Sequence, residues 1–355
     1  MFDFIKKLRK KTRFHAPEAQ PGAAGSASDD YARRVQNEQA FYANCENVHE
    51  LPEIFHYWSN KYLAPEFQAW GFASPDDFFL QQLRLRLERQ PEHFFRIISI
   101  GAGNCDLESN IASELVNLGL THFRIDCLDI NPDMLERGRQ HALRLGVPDQ
   151  IGLVENDFNR WQADDGCYDV VIANQSLHHV LDLEHLFDAA YKALAPDGAF
   201  LISDMIGRNG HMRWPEALDA MQPFWEELPE SYRYNQLMQR MEPKFINHDC
   251  SQSGFEGIRA QDILPLLNER FGFELFFPYG NIVFPFIDRG FGHNFDAEAD
   301  WDRAFIDRLH ERDHEGMLAG ELTPTSMLAV AVKGDPEQVR LRDPNLTPER
   351  CIRRP

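Results

Sequence analysis

Ile97-Ile98-Ser99-Ile100-Gly101-Ala102-Gly103-Asn104-Cys105-Asp106 runs from an apolar strand into a glycine-rich turn and on into a helix. Gly101 and Gly103 permit close backbone approach to a ligand. The helix that follows offers free N–H groups and the positive end of its dipole. Taken alone, the turn also serves as a plain βα connection, so its surroundings carry the argument. Apolar runs at Arg96–Ile100, Phe123–Asp129, Gly152–Glu155, Val170–Asn174 and Ala199–Asp204 alternate with amphipathic stretches at Leu107–Leu118, Pro132–Leu145 and Leu183–Ala193. This is the rhythm of a mostly parallel sheet. A helix near Ala260–Arg270 and strands at Phe273–Phe277 and Ser326–Val332 extend it, and the stretches 205–258 and 283–323 interrupt it as insertions.

Strand ends supply the next signals. Leu128-Asp129-Ile130-Asn131 closes the second strand. A carboxylate there can accept from both hydroxyls of an adenosine ribose, and Ile130 can pack on the base. Asn156-Asp157-Phe158-Asn159 follows the third strand. Asp157 can accept from the exocyclic amine of adenine, and Phe158 can cover a ring face. Asn174-Gln175-Ser176-Leu177-His178-His179 leaves the fourth strand beside the same crevice. These signals together predict a nucleoside-containing cofactor.

At this point the segment 94–206 resembles a class I S-adenosylmethionine-dependent methyltransferase. IISIGAGNCDLE is similar to that family's first motif, LDIN to the motif whose acid holds the ribose, and NDFN to the adenine-contacting motif. YDVVIANQSLHHV and LAPDGAFLISDMI are similar to its fourth- and fifth-strand motifs, in matching order and spacing. Cys105 stands at the usual third glycine, and Ser99 where an acid often precedes the first motif. The resemblance implies an α/β, Rossmann-like fold over 93–333: a seven-stranded, mostly parallel sheet with an antiparallel last strand. It implies that Gly101, Gly103 and Asn104 line the methionine end of the cofactor, with Asn174 and Gln175 on the methionine side. Asp129 would take the ribose and Asp157 the adenine amine. The implied reaction is methyl transfer to a small-molecule or glycan acceptor, at a hydroxyl oxygen first and with nitrogen or carbon left open, as in bacterial polysaccharide and secondary-metabolite pathways.

A hydroxyl acceptor needs a proton sink. His178 and His179 at the crevice mouth, and His248 beside Asp249, are the candidate bases, with His211 a weaker one. Trp214, Trp225, Tyr232 and Tyr234 are candidates to shape or close the acceptor pocket, each equally at home in a lid core. His178, His179, His248, Asp249 and Cys250 include metal-ligand types, but adjacent residues seldom reach one ion and no recognised spacing appears, so no metal is expected.

Composition narrows the partners. With 56 acids against 36 Lys and Arg in 355 residues, the net charge of -20 repels nucleic-acid backbones. The 6 Cys are scattered without a CxxC pair, which fits reduced thiols in a cytoplasmic protein. No run approaches the ~18 apolar residues of a spanning helix. Residues 1–30 read as a basic start and a flexible linker, and residues 31–92 as a helical N-terminal subdomain. Residues 1–14 carry basic groups beside Phe2, Phe4, Ile5 and Leu8, the makings of a peripheral contact with the inner membrane face. Residues 334–355 read as a loose polar tail. Two other functions share these features. A nicotinamide-dependent oxidoreductase would use the same turn and acid, but GxGxxG spacing is missing. A non-enzymatic partner-binding protein on this fold would not need Asp129 and Asp157.

Overall fold

The computed structural model describes residues 31, 33–36, 51–252 and 254–353. The basic start, the linker and Cys45 lie outside them. The N-terminal helices are α1 (Glu53–Trp58), a π-helical turn at Ser59–Leu63, α2 (Ala64–Ala69) and α3 (Pro75–Arg89). Ser74 caps α3 by accepting from the Asp77 N–H at 3.1 Å, with Pro75 at the first helical position.

β1 (Phe95–Ile100), β2 (Phe123–Asp129), β3 (Ile151–Glu155), β4 (Tyr168–Asn174) and β5 (Leu194–Met205) are parallel neighbours in the order β3-β2-β1-β4-β5. The crossovers are α4 (Asp106–Asn117), α5 (Pro132–Leu145) and α6 (Leu183–Ala193). Helices on both faces explain why Val170, Val171 and Ile172 are all fully buried instead of alternating. The strand order reverses between β1 and β4, and a crevice opens there at the carboxyl ends of the strands.

Two insertions rise beyond those ends. The first holds α7 (Pro215–Glu227) and a hairpin of β6 (Tyr234–Asn235) with β7 (Arg240–Met241). After α8 (Ala260–Asn268) and β8 (Gly272–Tyr279), the second holds α9 (Phe284–Ile287) and α10 (Asp300–Leu318). They pack as one cap with α1. Trp225 sits among Phe245, Phe286 and Phe291. The Tyr232 hydroxyl donates to Asp302 at 2.9 Å, and Trp58 Nε1 donates to His310 at 3.1 Å. Trp214 stacks with Arg208 and Arg353. These aromatics are therefore cap core, and Tyr234 is half-buried on the hairpin.

The main sheet has 8 strands, one more than expected. β9 (Ser326–Val332) runs antiparallel between β5 and β8, with Ala199 opposite Val332 and Met205 opposite Ser326. The extra strand, β10 (Arg340–Leu341), lies parallel to β8 at the edge. It comes from the stretch read as a loose tail, which in fact packs. Arg342 donates from Nε and Nη2 to the two Glu66 oxygens, each at 2.7 Å. The Arg340 guanidinium lies 4.1 Å from the centre of the Trp70 ring, and Leu346 and Cys351 are buried. A forked arginine–carboxylate pair and a cation–π contact anchor a segment too short to show strand periodicity. Among the described residues no helix is long and apolar enough to cross a membrane. Cys105, Cys127, Cys167, Cys250 and Cys351 are free thiols.

Candidate active site

The glycine turn after β1 holds three left-handed positions, Gly101 (φ 71°), Gly103 (φ 54°) and Cys105 (φ 52°). A Cβ on Gly101 would stand 2.7 Å from Ser176 Cβ, so the turn and the β4 loop meet with no room to spare. Cys105 gives α4 no side-chain cap, which leaves the first N–H groups of that helix to a ligand. The Asn104 side chain turns aside and accepts from Arg137 Nε at 2.9 Å.

A non-glycine residue in the left-handed region costs about 1 kcal/mol. Its side chain also needs space, and Gly138 in the middle of α5 provides it. A Cβ there would lie 2.6 Å from Cys105 Sγ and 2.9 Å from the Asn104 carbonyl oxygen. Sequence reading missed Gly138, although a lone glycine inside a helical pattern is a readable mark of close packing. Gly138→Ala is expected to destabilise the protein by about 1–3 kcal/mol despite alanine's better helix propensity. Cys105→Gly in the same chain should restore part of that loss. Thermal melts of the two single variants and the double variant measure the coupling, and purely additive shifts would refute it.

Below the turn, the Ser99 hydroxyl donates to Glu108 Oε1 at 2.6 Å, so α4 supplies the acid that the strand lacks. Burial pushes the Glu108 carboxyl up to about 7, against the opposing Ser99 hydrogen bond. A carboxyl raised on folding contributes fully below its unfolded value of about 4.3 and loses that contribution as pH rises through the folded value. The charged form therefore costs on the order of 3 kcal/mol at pH 8. Glu108→Gln should raise the melting temperature at pH 8, and the gain should vanish below pH 5. An equal gain at both pH values would contradict this origin.

Asp129 is buried at the end of β2. Its carboxylate accepts from the Gly103 N–H at 2.9 Å and from the Asn131 N–H at 2.8 Å, which braces the glycine turn. Ile130 is half-buried beside it. Asp157 accepts from the Asn159 N–H at 2.9 Å and from the Tyr31 hydroxyl at 2.7 Å. Burial, then that hydrogen bond, pushes the Tyr31 phenol upward, so it stays a donor. Tyr31 meets Phe255 edge-on, and Arg34 donates to the carbonyls of Ser251 and Gly254. The short segment around Tyr31 thus straps the Asp157 loop to the 251–257 loop. Phe158 is half-buried and would lie 3.8 Å from a Cβ on Gly101. Asn174 ends β4 half-buried, and Gln175 (φ 52°) donates from Nε2 to the Ser203 hydroxyl at 3.3 Å.

The histidines form a cluster. His178 Nδ1 lies 2.7 Å from Asp204 Oδ1, and the other oxygen of Asp204 accepts from the Ser176 and Leu177 N–H groups at 2.9 and 2.7 Å. Asp204 also accepts from the Met205 N–H at 2.7 Å, and it has no exposed surface. An acceptor so saturated by donors holds a proton on His178 Nδ1 and turns Nε2 toward Glu256. Glu256 lies opposite. Its Oε1 is 2.6 Å from His211 Nε2 and 3.6 Å from His178 Nε2, and its Oε2 is 3.5 Å from His179 Nε2. Partial burial works against the charge of Glu256. The hydrogen bond from His211 and the three imidazoles outweigh it and hold the carboxyl well below its ordinary range. Burial lowers His211. His248 is exposed and stands apart from this cluster. Sequence pattern marks neither Asp204 nor Glu256, since one closes a buried strand and the other lies in an aperiodic insertion.

Comparison with known proteins bears on the sheet that carries these residues. Residues 97–198 match the family described as a methyltransferase domain. The ubiquinone/menaquinone biosynthesis C-methyltransferase UbiE of Rhodopseudomonas palustris (strain TIE-1) is 30% identical over 107 residues, which are 30% of this chain and 41% of that one. The biotin biosynthesis bifunctional protein BioHC of Teredinibacter turnerae is 23% identical over 171 residues, 48% of this chain and 28% of that one. The chain thus spans less than half the length of these relatives. Geranyl diphosphate C-methyltransferase from Streptomyces coelicolor A3(2) is a looser structural neighbour. It is 11% identical, with a TM-score of 0.38, covering 71% of this chain and 76% of that one. The chain carries a class I S-adenosylmethionine-dependent methyltransferase domain, broadly related to the bacterial UbiE-type proteins.

Proposed function

We propose that this protein transfers the methyl group of S-adenosylmethionine to a hydroxyl oxygen of a small molecule or glycan of bacterial polysaccharide or secondary metabolism. The observation that carries the reading is the His178–Asp204 pair, 2.7 Å apart, on the loop that packs against the glycine turn. When bound, the cofactor supplies an electrophilic methyl on a sulfonium centre. The residues fit it: a turn at Gly101 and Gly103 that any Cβ would crowd, an uncapped helix start, and the carboxylates of Asp129 and Asp157 at the two strand ends. Asp129 would accept from the ribose hydroxyls, Asp157 from the adenine amine, and Phe158 would cover the base.

His178 then has work that a carbon acceptor of low acidity would not give it. Its Nε2 takes the hydroxyl proton, and Asp204 holds the ring and stabilises the imidazolium that forms. His211 and Glu256 bound the acceptor side, and the cap of α1, α7 and α10 keeps water out. Calorimetric titration with S-adenosylhomocysteine, followed by a screen of hydroxylated metabolites and glycans, tests this. Tight binding and transfer to oxygen support it. Absence of binding, or methyl found on carbon, refutes it.

A further inference from the structure

Nε2 of His178, Nε2 of His211 and the Glu256 carboxylate converge beside the β4–β5 ends, with their ligand atoms all within 4.8 Å of one another. Three separate segments bring them there: the turn after β4, the start of the first insertion and its end just before α8. Asp204 engages Nδ1 of His178, so Nε2 is the ring nitrogen turned toward Glu256 Oε1, 3.6 Å away. Two imidazole nitrogens and one carboxylate, brought from three segments, thus gather within coordination reach of a single ion.

We propose that His178, His211 and Glu256 form a binding site for a first-row divalent transition-metal ion, with Asp204 as the outer partner that orients His178. Two imidazole nitrogens and one carboxylate suit zinc, iron(II) or manganese, whereas magnesium and calcium prefer all-oxygen sites. A carboxylate on the far nitrogen of a ligating histidine is the usual outer partner. Metal–ligand bonds of about 2.0–2.1 Å in a tetrahedron put ligand atoms about 3.3 Å apart. The His178–Glu256 separation already matches. The His211–Glu256 separation of 2.6 Å opens by a rotation of Glu256, whose side chain keeps 43% of its surface exposed. Three protein ligands leave a further position for an oxygen.

Assigning that position to the acceptor hydroxyl rests on the methyl-transfer reading, whereas the binding of the ion does not. With the ion bound, His178 Nε2 is a ligand, which replaces its part as base in the metal-free route, so the hydroxyl, made more acidic by the ion, gives its proton to solvent. The oxygen–methyl bond then forms as the carbon–sulfur bond of the sulfonium breaks, which leaves S-adenosylhomocysteine.

The test is calorimetric titration of the chelator-treated full chain with zinc. One ion per chain is expected, with affinity at least about 100-fold weaker in His211→Ala and Glu256→Gln. Each variant is first titrated with S-adenosylhomocysteine, and unchanged affinity there shows an intact fold. Uptake of no zinc by the wild type, or equal uptake by His211→Ala and Glu256→Gln, overturns the proposal. Should those variants misfold, cobalt(II) added to the wild type decides. Strong visible bands of a low-coordinate ion support the site, and only the weak bands of the aquo ion overturn it. Zinc binding without S-adenosylhomocysteine binding would sink the methyl-transfer reading alone, so the two ideas fail separately.

Discussion

His178→Gln is expected to cut methyl transfer by about 10²–10⁴-fold and to leave S-adenosylhomocysteine affinity unchanged. Glutamine can keep a donor on Asp204, 2.7 Å from the native Nδ1, but it cannot take up a proton or ligate an ion as imidazole does. Asp204→Asn is a poorer probe of the same step. The carboxylate is met by donors: His178 Nδ1 and the N–H groups of Ser176, Leu177 and Met205. An amide would set an NH₂ against one of them and loosen the whole β4–β5 junction. Single-turnover transfer to the acceptor from the screen, measured beside calorimetry, separates chemistry from binding. Turnover of His178→Gln within a few-fold of the wild type would remove the histidine from the mechanism.

Asp129→Ala should do the reverse and strike at cofactor affinity. The carboxylate has two tasks, one toward the ribose and one toward its own chain through the Gly103 and Asn131 N–H groups at 2.9 and 2.8 Å. Charge-assisted hydrogen bonds contribute about 1.5–3 kcal/mol each, so losing two to a ribose weakens binding about 10²–10⁴-fold. The unbraced glycine turn adds to the loss. Asp129→Asn keeps one acceptor oxygen and should fall between. S-adenosylhomocysteine binding to Asp129→Ala within a few-fold of the wild type would mean that the ribose is held elsewhere and that the crevice has been misread.

The parts of this protein that repeat with a period were legible in its sequence. Buried strands, amphipathic crossovers and the acids at strand ends follow from local pattern, and β1 through β5 lie where the apolar runs put them. The histidine cluster was only half legible. His178 and His179 follow a strand and advertise themselves. Their partners come from elsewhere: Asp204 from the next strand, and His211 and Glu256 from opposite ends of the first insertion. No periodicity connects such positions, because loops are brought together by the sheet and not by their own spacing. His248 looked eligible for the same reason and lies exposed instead. Cys105 departs from the glycine of the family pattern without loss of the turn. The structure gives the reason in Gly138, a residue of another helix. β10 was hidden because side-chain anchors, not strand length, hold it.

The place of β9 bears on how this chain emerges from the ribosome. β5 has one parallel neighbour, β4, made just before it, but its other edge is satisfied only when Ser326–Val332 arrives. Until then Phe200, Leu201 and Ile202, all fully buried in the finished fold, sit on an open strand edge. An unpaired apolar edge recruits other chains. A nascent chain stalled or truncated within the second insertion would therefore be a client for chaperones, although its glycine turn and both strand-end carboxylates had already been synthesised.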